Sequence, residues 1–228
     1  MRVSFDGFES PIELAAGFPH VLEIENKTLF TRVCQSLLSE EGSEAREPYS
    51  LWDEAGEEVS SRGAFLSVSN PLDLPWDDKL LGGRLYDVFE GLMGEDEETR
   101  SEIERIAQSL SSAVSRLAHC VGAEYEFGLE WGMKQFLKSR AFKVDRHEAS
   151  PFLESLMSFL DFCSDMGLKQ AVLFVNLKTF LSGREVQELY ERLFFLGFEA
   201  LLLESQHDSL SYEHERKTMI DLQFLESH

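Results

Sequence analysis

The chain has little of what marks secreted and membrane proteins. Of its 228 residues only 3 are cysteine. Cys34, Cys120 and Cys163 show no CxxC spacing and cannot all pair with one another, which excludes a disulfide framework and fits reduced thiols in a cytosol. Each sits in an apolar stretch, so all three read as buried thiols. The N-terminus, MRVSFDGFESPIELAAGFPHV, lacks the basic region and the apolar run of a signal peptide. No apolar run reaches the roughly 18 residues that would cross a bilayer. The expectation is a cytoplasmic protein.

Positive charge is scarce as well. Against 42 acidic residues stand 21 basic ones, for a net charge of -21. Such a chain stays soluble and repels polyanions at long range, so contact with nucleic acid needs a local basic patch or bridging cations. Disorder throughout is excluded, because 43% of the residues are hydrophobic and the length suffices for one well-filled core, or a core with an appended subdomain.

Catalytic signatures are missing. There is no GxSxG, no HExxH and no Cys-His arrangement beyond His119-Cys120, whose side chains leave a helix about 100° apart. The 6 histidines show no ligand spacing. The segment HDSLSYEHE gathers His207, Asp208, Glu213, His214 and Glu215; a solvated loop is the expected reading, with metal binding the lesser one. A nucleotide site would need a glycine-rich loop whose N–H groups cradle phosphate. Lys27-Thr28 does follow an apolar strand at a helix start, and Glu204 ends the run ALLLE, but EIENKT carries no glycine. A degenerate P-loop-like NTPase using Lys27, Thr28 and Glu204 stays an alternative.

What is present reads as alternating strands and helices. Short strands are expected at Arg2 to Phe5, at Ile12 to Leu14 and at HVLEIE from His20, followed by a helix with Leu29, Phe30, Val33, Cys34, Leu37 and Leu38 on one stripe. The acidic stretch 40–60 reads as an exposed excursion with a hairpin near Glu54 to Gly56, and AFLSVSN as a buried strand closed by Pro71. From residue 76 the texture is helical. A long stripe of Ile103, Ile106, Ala107, Leu110, Val114, Leu117 and Val121 outruns a small core, so it projects as a leg or packs on a partner helix. AFKV at 141–144 reads as a strand, and Ser150-Pro151 as the cap and first residue of a helix.

The clearest unit is AVLFVNLKTFLSGREVQELYERLFFLGFEALLLE, residues 171–204. It reads as a strand apolar on both faces, a helix opened by a Ser182/Glu185 capping box and closed by Gly197, and a second buried strand. Two parallel strands joined by a helix make a βαβ unit. The expected architecture is α/β: a head from residues 1–75 and 145–228, with a mainly helical leg subdomain inserted at 76–144.

Two local features rise above the acidic background. KQFLKSRAFKVDRH packs Lys134, Lys138, Arg140, Lys143 and Arg146 against one acid, Asp145; Lys134 and Lys138 lie one helical turn apart. Such a patch suits phosphate contacts, which give salt-sensitive and sequence-independent affinity. Just upstream, Glu124, Glu126 and Glu130 cluster where alternate strand positions share a face, an oxygen set suited to a hard cation.

Three stretches, SPIELAAGFPHVLEIENKTLFTRVCQSLL, KSRAFKVD and VLFVNLKTFLSGREVQELYERLFFLGFEALLLES, together resemble the accessory protein of type II-A CRISPR spacer acquisition, the Csn-two family. That resemblance implies a head like a degenerate P-loop fold without a working nucleotide site, and a helical leg. It also implies a homotetrameric ring that threads onto the free ends of linear double-stranded DNA during spacer acquisition in antiviral defence, stabilised by calcium. It implies partnership with the CRISPR integrase complex and the effector nuclease, and no enzymatic activity. By position, Glu124, Glu126 and Glu130 occupy the family's calcium segment, although Gly128 and Leu129 stand where a further acid is expected. The Lys134 to Arg146 patch is the candidate DNA-facing surface.

Overall fold

The computed structural model describes residues 1–121, 131–146 and 150–227. The chain forms two compact units, Met1–Pro75 with His147–His228, and Trp76–Arg146. The return to the first unit falls two residues later than the sequence suggested.

The first unit opens with β1 (Arg2–Phe5) and β2 (Ile12–Glu13), antiparallel around the Asp6-Gly7 turn. β3 (His20–Ile24) is buried along its whole length, and α1 (Lys27–Ser39) follows after two residues. Asn26 makes so short a link workable: its side chain accepts from the N–H groups of Thr28 and Leu29, satisfying two of the donors that every helix start leaves unpaired. β4 (Tyr49–Trp52) and β5 (Glu58–Val59) form the hairpin expected around residues 54–56, and β6 (Phe65–Val68) is the expected buried strand.

The second unit contains α2 (Lys79–Glu95), α3 (Glu97–Ala118) and α4 (Met133–Ser139). Asp78 and Asp96 cap the first two through bonds to Leu80, Leu81 and Thr99. The first unit then resumes with α5 (Phe152–Asp165), β7 (Ala171–Val175), α6 (Gly183–Leu196), β8 (Ala200–Glu204), β9 (Arg216–Ile220) and β10 (Glu226–Ser227). The capping box is complete, since Ser182 Oγ accepts from Glu185 N and Glu185 Oε2 accepts from Ser182 N at 2.7 Å. Gly197, at φ 68°, ends α6 in the left-handed region where glycine carries no steric penalty.

The fold is α/β. Its larger sheet has the order β10-β9-β3-β8-β7-β6, with five parallel strands and an antiparallel edge strand, β10. A smaller antiparallel sheet runs β2-β1-β4-β5. The head is therefore mixed rather than built on one parallel sheet. Leu22, Ile24, Leu173, Leu201 and Leu203 join Leu29, Val33 and Leu37 of α1 and Val3, Phe5, Tyr49 and Leu51 of the small sheet in one core. Each such leucine, fully buried, contributes on the order of 2 kcal/mol. Because side chains alternate along a strand, Val21, Glu23, Leu202 and Glu204 point to the opposite face.

Three sequence expectations are corrected. Residues 141–144 form no strand: the Ala141 and Phe142 N–H groups bond back to Lys138 and Leu137 O, wrapping the end of α4, and the Phe142 ring meets Phe89 edge-on at 5.0 Å. α5 begins with Pro151 in the cap position and no side-chain cap bond, so Ser150 does not serve as its cap. Cys120 is exposed, unlike Cys34 and Cys163. No helix among the described residues is long and apolar enough to cross a membrane.

Candidate nucleic-acid interface and strand-end ion cluster

The basic segment lies in the second unit. α4 presents Lys134 and Lys138 to α2: Lys134 Nζ is 3.6 Å from Asp87, and Lys138 Nζ sits over the Tyr86 ring at 5.7 Å from its centroid. Arg146 is paired with Asp77. Arg140 and Lys143 are exposed and make no ion pair among the described residues. The five bases are thus partly neutralised by acids of the same unit, which spacing alone did not reveal. Asp87 and Asp77 are 66% and 76% exposed, and ion pairs of this kind are worth at most about 1 kcal/mol. A phosphate group can displace either carboxylate at little cost. Glu124, Glu126 and Glu130 lie outside the described residues. Among the described residues no group of three or more His, Cys, Asp or Glu side chains is placed to hold a metal ion.

A second polar site closes the C-terminal ends of the parallel strands. Register sets Glu23 of β3 beside Glu204 of β8. The Glu23 side chain is 1% exposed, and its carboxylate meets Lys217 Nζ at 3.2 Å, Lys178 Nζ at 3.8 Å and His207 Nδ1 at 2.8 Å. Lys178 follows β7 and reaches Asp208 at 2.9 Å and Glu215 at 3.3 Å. Glu215 also accepts from the Tyr190 hydroxyl of α6 at 2.9 Å. Lys217 Nζ donates to the carbonyls of Asp208 and Leu210, pinning the β8–β9 connection across the strand ends.

The electrostatics follow from burial opposed by pairing. Burial disfavours the Lys178 ammonium, yet Asp208 and Glu215 outweigh it and hold its pKa above the ordinary value. Burial raises Glu204 to about 7, although the Lys178 N–H and ammonium act the other way. Burial and the neighbouring Glu215 carboxylate push the Tyr190 phenol well up. Taking one partner from such a cluster strands a buried charge, so its role is that of a clasp.

The nucleotide-site residues form no bonded constellation among the described residues. Lys27 and Thr28 are exposed on the first turn of α1, and no hydrogen bond or ion pair joins them to Glu204 among the described residues. The N–H groups of Thr28 and Leu29 are already taken by Asn26. Of the HDSLSYEHE residues, His207, Asp208 and Glu215 belong to the clasp, while Glu213 and His214 approach each other at 4.0 Å. The solvated-loop reading is corrected for Asp208 and Glu215, while the His207 side chain stays 43% exposed. The available signal was an acid inside each buried strand, Glu23 in HVLEI and Glu204 in ALLLE, which demands a partner.

A family model described as CRISPR-associated protein (Cas_Csn2) matches residues 44–223, well over half of the chain. The chain belongs to this family. No curated protein matches it. The Csn-two match takes in the second unit, the basic segment, and Lys178, Glu204, Asp208, Glu215 and Lys217 of the clasp. It leaves out Glu23 and the Lys27-Thr28 pair, which precede it.

Proposed function

We propose that this Csn-two family member binds the ends of linear double-stranded DNA without sequence preference and without catalysis. It does so as a homotetrameric ring in the spacer-acquisition step of CRISPR adaptation, beside the integrase complex and the effector nuclease. The observation that carries the reading is the basic segment Lys134 to Arg146, an isolated run of positive charge within the family-matched part of a chain of net charge -21. Arg140 and Lys143 are exposed for phosphate, and the pairs at Lys134 and Arg146 are weak enough to exchange. Calcium, held by a set including Glu124, Glu126 and Glu130, belongs to the same proposal through the family resemblance.

Reversing Lys138, Arg140 and Lys143 to glutamate tests it. The expected result is weaker binding to every sequence and a flatter dependence of affinity on salt, by about one unit of slope for each phosphate no longer neutralised. Unchanged affinity removes this segment from the interface.

A second reading is favoured by the apolar side of α3. Ile106, Leu110 and Leu117 are more than half exposed, as expected for a helix that docks on protein. In that reading the molecule is an assembly adaptor, and it captures the integrase while failing to bind any DNA.

A further inference from the structure

The connection from β8 to β9, residues 205–215, contains no helix or strand, although parallel strands are most often joined through a helix. It is held as a strap by groups outside itself. The Ser205 N–H donates to Asn176 Oδ1 at 2.9 Å, the Asp208 N–H to Glu23 Oε1 at 3.3 Å and the Glu213 N–H to Gln187 Oε1 at 3.1 Å. The Lys178 ammonium fastens it twice more, at Asp208 by 2.9 Å and at Glu215 by 3.3 Å.

Two buried carboxyls stand side by side at the root of the strap. Parallel register sets Glu204 next to Glu23 on one face of the sheet. Glu23 is met by Lys178, Lys217 and His207. Glu204, 3% exposed, accepts from the Lys178 N–H at 2.9 Å but makes no ion pair among the described residues. A buried carboxylate without a cation of its own, beside a second carboxylate, is costly, so Glu204 is held as the neutral acid. Burial first, with Glu23 adding, raises it to about 7 against the pull of the Lys178 N–H and ammonium. The ammonium that acts on Glu204 is therefore the one that fastens the strap.

The other titratable groups around it come from every neighbouring element: Glu23 of β3, Lys217 of β9, Cys34 of α1, Tyr190 of α6, and His207, Asp208, Tyr212 and Glu215 of the strap side. Burial holds the Tyr190 phenol well up and pushes the Cys34 thiol to about 12, so both stay neutral. We propose that the proton on Glu204 latches the strap: while it is in place the strap stays closed, and its loss draws the Lys178 ammonium away from Asp208 and Glu215 and lets the strap open. In the closed state Glu204 keeps its proton up to about pH 7, whereas in water it would give it up at its ordinary value of 4.5. The hold on the strap is thus complete below 4.5, weakens as pH rises, and is lost by about 7, above which opening becomes no easier.

Amide hydrogen exchange of the full chain across this pH range, corrected for the intrinsic rate at each pH, tests the latch. Strap amides are expected to exchange faster than those of β7 and β8 through local opening, and to lose at least about tenfold in protection between about pH 5 and 7 before levelling off. Glu204→Gln, which stays neutral, is expected to hold that change within about twofold. Lys178→Met is expected to lower strap protection already at the acid end. Glu213→Gln, which removes an exposed carboxylate of the strap, and His207→Gln are both expected to leave the fall in place. Strap amides that exchange only in step with β7 and β8, or protection that is flat with pH, would overturn the proposal. So would a fall that survives Glu204→Gln, one abolished by His207→Gln, or strap protection unmoved by Lys178→Met.

Discussion

The two units bury their apolar side chains to very different degrees. In the first, the strands and helices close over one another, so that Leu22, Leu37, Leu173, Leu201 and Leu203 are wholly inaccessible. In the second, Leu81, Leu85, Ala107 and Leu137 are buried, whereas Leu92, Leu110 and Leu117 are 56%, 58% and 69% exposed. The first unit also leaves apolar side chains exposed, Phe195 at 79% and Leu72 at 63%, but they surround a filled core, which makes it a scaffold. A unit that leaves a helical stripe uncovered has the anatomy of an interaction element. Polar groups divide the same way: buried and mutually paired at the strand ends of the first unit, exposed and exchangeable on the second.

The sharpest way to break that contrast is to remove a charge from the clasp. Lys178→Met takes a cation from Asp208 and from the buried Glu23 and Glu215, which keep Lys217 at 3.2 and 3.6 Å, and a loss of about 1–3 kcal/mol is expected in urea unfolding. A loss under about 1 kcal/mol would make the cluster no more than a surface network. Next comes pH. The raised Glu204 pKa favours the folded state while the group stays protonated, a contribution fully present below its ordinary value of 4.5 and lost as pH rises through about 7. Across that window up to about 3 kcal/mol of stability disappears, and Glu204→Gln is expected to flatten the curve. A wild-type profile that is equally flat would place the carboxyl in contact with water.

On the second unit the expected stability effects shrink. Leu110→Lys with Leu117→Lys is expected to change folding stability by no more than about 0.5 kcal/mol, as at ordinary surface positions, while lowering the mass in solution. A large destabilisation would mean that α3 is covered within its own chain. Smallest of all, Lys134→Ala is expected to cost under about 1 kcal/mol, since its partner Asp87 is solvated.

The same division governs how much was legible in the sequence. The β7–α6–β8 unit could be read because Ala171 to Val175 is apolar on both faces and Ser182, Glu185 and Gly197 carry local capping chemistry. β9 escaped notice because Arg216 and Lys217 break the apolar pattern of five short residues, and only pairing with β3 makes them a strand. AFKV misled in the opposite direction: alternation suggested a strand, but Phe142 has an aromatic partner in Phe89 and no neighbouring strand among the described residues. The clasp was invisible for a topological reason. Glu23, Lys178, Glu204 and Lys217 are scattered along the chain: register sets Glu23 beside Glu204, while Lys178 reaches in from the turn after β7 and Lys217 from the start of β9. Lys134 to Arg146 was visible as a run of charge, while the acids that pair with it, Asp77 and Asp87, belong to another helix and its approach.

The most direct measurement is a gel-shift comparison of one DNA sequence as a linear duplex and as a covalently closed circle, each with calcium and with chelator. A ring that loads over free ends is expected to shift the linear form and leave the circle unbound, with the linear complex weakened by chelator. Equal affinity for both topologies would contradict the account.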